Sequence, residues 1–199
     1  MVKLISFEGG IGSGKTSLTN YFSRELKIGK ILEKYNINPF LKRFYSGDLS
    51  INFETEVTFL LIHFTQLKDS IKNCQNSFLI ADFSIEKDLV FAELNLKDEE
   101  LKIFKNLYDY IIRKVGIPYL VIYLDLSIEI LKRRILQRGR EYEKNADPGY
   151  FMDFHEKIKN FFKFMTKSKI WFINVDELEL NVDNPKLKQI RTKIINEIQ

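Results

Sequence analysis

Residues 9–16 read Gly-Gly-Ile-Gly-Ser-Gly-Lys-Thr, with Gly9, Gly14, Lys15 and Thr16 in the spacing G-x-x-x-x-G-K-[ST]. Glycine adopts backbone conformations closed to other residues, so such a run folds tightly and turns its N–H groups toward an anion. Three of the four variable positions, Gly10, Gly12 and Ser13, are small, and only Ile11 is bulky. Lys15 can reach the β- and γ-phosphates of a nucleoside triphosphate, and Thr16 can offer its hydroxyl to Mg²⁺. Glu33, Asp82 and Asp125 each end or follow an apolar run. Phosphoryl transfer needs a carboxylate near Mg²⁺ and, for a hydroxyl acceptor, one that takes its proton. Glu33 and Asp82 read as that pair. Asp125, ahead of Leu126-Ser127, reads as a helix cap or a solvated charge. Arg134 and Arg138 are four apart on one helical face, and Arg140 follows Gly139. Guanidinium groups grip phosphate oxygens in pairs. The glycine gives a hinge on which residues 138–147 could close as an arginine-rich lid.

These side chains need a scaffold. Apolar Val2–Phe7 predicts a buried strand, and Ser17–Leu26 a helix opening on the glycine loop. Short strands are expected at Lys30–Glu33, Ser77–Ala81, Pro118–Leu124 and Ile170–Asn174. Helices are expected at Phe53–Lys72, Ile85–Leu94, Asp98–Val115, Ile128–Gln137, Pro148–Lys167 and Lys186–Ile198, with Asn36–Ser50 as a loop. Apolar strands alternating with helices predict one α/β domain: a five-stranded parallel sheet covered on both faces. In such a sheet the ligand lies beyond the carboxyl ends of the strands.

The chain has 199 residues, enough for one sizeable core, and a net charge of +4. That charge is too mild to define a nucleic-acid surface. No apolar run is long enough to span a membrane, and the N-terminus enters a strand with no signal peptide ahead of it. The single cysteine, Cys74, rules out an internal disulfide and fits a cytoplasmic protein.

Five segments together resemble the deoxynucleoside kinases, and most closely their bacterial deoxyguanosine/deoxyadenosine branch. They are F-E-G-G-I-G-S-G-K-T (7–16), N-P-F-L-K-R-F-Y (38–45), F-E-T-E-V-T-F-L-L (53–61), A-D-F-S-I-E-K-D-L-V-F-A (81–92) and R-I-L-Q-R-G-R-E-Y-E (134–143). The resemblance implies a P-loop kinase fold that moves the ATP γ-phosphoryl group to a deoxynucleoside 5′-hydroxyl with Mg²⁺. It implies Glu33 as general base on that hydroxyl and Tyr45 with Glu143 on the 3′-hydroxyl. It implies Glu56, His63 and Asp88 as readers of the base edge, with Phe91 stacked on the base. It implies Asp82 as the acid of the family's Glu-Arg-Ser element, and Arg134, Arg138 and Arg140 as lid arginines. It also implies a homodimer built on the long helices.

The chain departs from the commonest family pattern at three positions. Phe83 stands where arginine follows the acid, and Lys87, one turn on, is the substitute cation near the 5′-oxygen, an arrangement of the bacterial purine branch. His63 replaces an arginine. Glu56 replaces a glutamine, and can donate only when protonated. Its carboxylate suits the N1–H edge of guanine, while adenine needs a donor from His63 or a protonated Asp88. A thymidylate-type nucleotide kinase is the alternative enzyme, but Phe83 lacks the arginine it expects. A nucleotide-dependent switch is the non-enzymatic alternative, and the Asn-Lys-x-Asp element of guanine-specific switches is absent.

Overall fold

Burial decides where the strands run. Lys3–Glu8 (β1), Phe78–Ala81 (β3) and Leu120–Asp125 (β4) are short apolar runs, buried almost throughout. The computed structural model describes residues 2–138, 148–181 and 183–198. With Gly29–Ile31 (β2) and Lys169–Asn174 (β5), these strands form a parallel sheet in the order β2-β3-β1-β4-β5. The order reverses at β1, so the loop leaving β1 opens into the crevice at the carboxyl edge.

Helices cover both faces. Lys15–Leu26 (α1), Ile128–Arg138 (α6) and Pro185–Ile198 (α8) pack Leu18, Phe22, Leu131, Ile190 and Ile194 on Ile5, Phe7 and Ile122. Asn52–Asn73 (α3) and Asp98–Val115 (α5) pack Leu60, Leu67, Phe104 and Ile111 against Leu4 and Leu79 on the other face. Pro148–Phe164 (α7) sets Phe154, Ile158 and Phe162 on Val121 and Tyr123, beside Val90 of the helix Glu86–Asn95 (α4). No described helix is long and apolar enough to cross a membrane.

The fold matches the expected five-stranded sheet, with three local differences. β2 stops at Ile31 because the N–H of Glu33 donates to the Asp82 carboxylate at 2.7 Å instead of extending the ladder. Within the expected loop 36–50 lies a short helix, Leu41–Tyr45 (α2), between turns at Tyr35–Ile37 and Leu49–Ile51. An Arg43–Asp48 ion pair and packing of Phe44 on Tyr150 hold it, and the second contact is invisible to local pattern. α7 ends at Phe164 rather than Lys167, where the hydroxyls of Thr166 and Ser168 turn to the buried carboxylate of Glu86. Most of the expected lid, including Arg140 and Glu143, lies outside the described residues.

Candidate active site

The glycine loop follows from backbone constraint. Gly9, Gly12 and Gly14 all have positive φ. At Gly9 a side chain would also meet the carbonyl of Leu124, 2.6 Å from its Cβ, whereas nothing lies within 4 Å at Gly14. Gly9→Ala is therefore expected to cost about 3 kcal/mol and lower Tm by roughly 5–10 °C. Gly14→Ala should cost about 1 kcal/mol, for conformation alone. Equal losses in thermal denaturation would contradict this geometry.

Lys15 leaves the loop at the start of α1 and its Nζ donates to the carbonyls of Gly9 and Gly10 at 2.8 and 3.0 Å. Beneath it lies Glu8, a fully buried acid that the sequence reading missed. Its signal was an acid ending an apolar strand directly before the glycines. The Glu8 carboxyl accepts from the N–H groups of Ser84 and Gly9 at 2.5 and 3.2 Å. Burial pushes it up to about 7, against the pull of Lys87 and Lys15. His155 of α7 abuts Gly10, and burial lowers its pKa, so an uncharged ring walls this side of the loop.

Asp82, just past β3, joins two sites. One oxygen accepts from the Thr16 hydroxyl at 2.6 Å, and the other from the N–H of Glu33 at 2.7 Å. A hydroxyl beside a carboxylate at a phosphate loop is the hard oxygen donor set that suits Mg²⁺ shared with phosphates. The residues present fit that ion.

On the far side of Asp82, Lys87 Nζ lies 2.7 Å from Glu33 Oε1. His63, fully buried on α3, bridges Glu33 at 3.2 Å through Nε2 and Asp88 at 2.8 Å through Nδ1. Burial opposes a charged ring, but the Asp88 charge and hydrogen bonds to both acids overcome it and raise His63 to about 9. A charged imidazole donates from both nitrogens, so both are committed to carboxylates. Burial raises Glu33 too, yet Lys87 and His63 outweigh it and hold this acid well below the usual carboxylate range. Phe83 is the floor: its buried ring stacks on His63 with centroids 4.5 Å apart and lies 5.7 Å under the Lys87 ammonium.

Glu56 and Phe91 line the same cavity, of about 710 Å³, as Lys15 and Thr16. Phe91 stacks on Phe154 with centroids 3.9 Å apart. Tyr45 lines the same cavity and packs on Phe44 and Phe151. Glu56 accepts from Asn95 Nδ2 at 2.7 Å, and the same nitrogen lies 3.0 Å from the Tyr150 hydroxyl. Asn95 and Tyr150 carried no local signal, because neither sits in a spacing that implies chemistry.

Arg134 donates to the carbonyls of Val175 at 3.1 Å and Gly12 at 3.5 Å, tying α6 to the glycine loop. Arg138 closes α6. Asp125 pairs with Lys159 at 2.7 Å, a strand-ending charge outside this constellation. Thus Glu33, Tyr45, Glu56, His63, Asp82, Lys87, Asp88, Phe91 and Arg134 line one cavity with Lys15 and Thr16.

A model of the deoxynucleoside kinase family matches residues 5–199. A deoxyguanosine kinase of Bacillus subtilis (strain 168) is 33% identical over 148 residues, covering 73% of this chain and 72% of its own. A deoxyadenosine/deoxycytidine kinase of the same organism is 25% identical over 203 residues, 98% of this chain and 93% of its own. The solved structure of a deoxyadenosine kinase from M. mycoides with bound dATP has the same fold, with a TM-score of 0.82 at 21% identity over 97% of this chain and 99% of that one. With the glycine loop, the Asp82 junction and the acid-lined cavity in place on this sheet, the chain belongs to the deoxynucleoside kinase family.

Proposed function

We propose that this chain transfers the γ-phosphoryl group of ATP to the 5′-hydroxyl of deoxyguanosine or deoxyadenosine. The observation that carries the reading is the Asp82 junction, where one carboxylate touches Thr16 of the phosphate loop and the backbone of Glu33. The phosphate and hydroxyl sites are thus one side chain apart. Mg²⁺, held by Thr16 and Asp82, neutralises phosphate charge when bound. Gly9–Thr16 cradle the phosphates, with Lys15, Arg134, Arg138 and Arg140 countering their charge. Glu33, ionised by its neighbours, takes the 5′-hydroxyl proton, and Lys87 steadies that oxygen. Tyr45 and Glu143 hold the 3′-hydroxyl. Phe91 offers a stacking face, Glu56 and Asp88 read the base edge, and His63, with both ring nitrogens committed to carboxylates, belongs to that set by holding Asp88 in place. Relatives named deoxyguanosine and deoxyadenosine kinase support the purine reading.

Phe83, buried under His63, stands where a thymidylate-type nucleotide kinase would carry an arginine, and the nearby cation, Lys87, is paired with Glu33. The reading includes a cytoplasmic homodimer, its interface on α3 and α5, where Leu61, Ile103 and Tyr110 are exposed. Competition among the four deoxynucleosides and their 5′-monophosphates for labelled ATP tests the function. Deoxyguanosine or deoxyadenosine should have the highest kcat/KM. Preference for thymidine would overturn the base assignment, and preference for a monophosphate would overturn the acceptor class.

A further inference from the structure

Glu56 is 3% exposed, and among the described residues its carboxyl has a neutral partner, the Asn95 amide. Asn95 ends α4 and is held between Glu56 of α3 and Tyr150 of α7. The two cations whose charge reaches Glu56 are paired elsewhere: His63 on Asp88 and Glu33, and Lys87 on Glu33. A buried carboxyl without a cation is more stable as the neutral acid than as the anion.

We propose that Asn95 is a specificity-determining positioning residue: it fixes Glu56 Oε1 as the acceptor, so the acid proton sits on Oε2 and is donated to the nucleobase, as a glutamine amide would donate. This rests on the reading that Glu56 faces the base. Adenine N1 accepts a hydrogen bond and guanine N1–H donates one. The neutral acid therefore supplies the donor adenine needs, a role that His63, with both nitrogens committed, does not fill. The ionised carboxylate suits guanine. One residue thus favours adenine when protonated and guanine when not.

The groups facing Glu56 are His63 on α3, Lys87, Asp88 and Asn95 on α4, and Tyr150 on α7. Burial, with the Asp88 charge adding to it, raises Glu56 to about 8, against the Asn95 hydrogen bond and the charges of His63 and Lys87. Burial and Glu56 keep Tyr150 neutral. The acid is then mostly protonated at neutral pH and ionises just above it.

The test measures kcat/KM for deoxyadenosine and deoxyguanosine between about pH 7.0 and 8.5, a window centred near the Glu56 transition. The ratio of the two cancels ionisations common to both substrates, Glu33 included. In the wild type the guanosine/adenosine ratio should rise across this window by up to about 30-fold, the change in the ionised-to-protonated ratio over these pH values. In Glu56→Gln it should stay flat and lie toward adenosine. Asn95→Leu removes a hydrogen bond that favours the anion, so the midpoint should move up and the ratio should lie further toward adenosine throughout the window. An Asn95 that serves only the fold would lower both substrates alike and leave the midpoint in place, which would overturn its role. A flat wild-type ratio would overturn the protonation switch, provided Glu56→Gln still changes the ranking. If Glu56→Gln changes no ranking, the base-reading assignment itself fails. Should Asn95→Leu not fold, calorimetry on the wild type in buffers of different ionisation enthalpy decides. Deoxyadenosine binding near pH 8.5 should take up close to one proton, and deoxyguanosine binding near pH 7.0 should release one. No proton exchange overturns the inference.

Discussion

Lys15→Ala is expected to lower kcat about 10²–10³-fold while leaving the fold intact, the loss typical of removing one preorganised donor from a developing charge. The side chain is anchored to its own loop through Gly9 and Gly10 rather than to the core. The risk to the fold lies in Glu8, which Lys15 helps keep ionised. Glu8 answers that loss by protonation, because its pKa already stands near neutrality and rises further when the ammonium is gone. No stranded buried anion remains. Turnover above about a tenth of wild type would contradict the role of Lys15 at the phosphates, and circular dichroism with thermal denaturation checks the fold.

Glu33→Gln should lower kcat roughly 10²–10⁴-fold and leave KM for the deoxynucleoside nearly unchanged, because an amide keeps the shape and cannot take the proton. The amide oxygen still accepts from Lys87 or His63, so the variant tests charge rather than architecture. Lys87 loses its ion-pair partner and keeps the nearby charges of Glu8 and Asp88, and His63 keeps Asp88. The site should stay assembled. Steady-state kinetics separate the alternatives. A raised KM with unchanged kcat would make Glu33 a binding residue only, and the base would have to be sought elsewhere along the cavity.

The features legible in the sequence are those set by neighbours along the chain. The glycine loop needs positive φ at Gly9, Gly12 and Gly14, and that demand shows directly in residue type. α5 runs from Asp98 to Val115 as its spacing predicts, with acids in its first turn, basic residues in its last and Gly116 after it. The alternation of apolar runs and amphipathic helices implies a parallel sheet, and a parallel sheet gathers strand ends at one edge. Glu33 and Asp82 therefore meet near Thr16 although they are far apart in the chain.

Tertiary structure alone decided the partners and the charge states. Asn95 meets Glu56 from 39 residues away, His63 reaches Glu33 across 30, and Ser84 reaches Glu8 across 76. No local pattern encodes such pairs, because helix packing chooses which faces touch. Residue type says only that Glu56, Glu33 and Glu8 are acids. Burial with a neutral amide as partner raises Glu56 to about 8, two cations hold Glu33 ionised, and Glu8 stands between them at about 7. The sequence by itself determined that this chain binds phosphate at a parallel sheet's carboxyl edge. Which of its carboxyls can take a proton and which can donate one was decided only by desolvation and neighbouring charge, and both exist only once the helices have closed over the site.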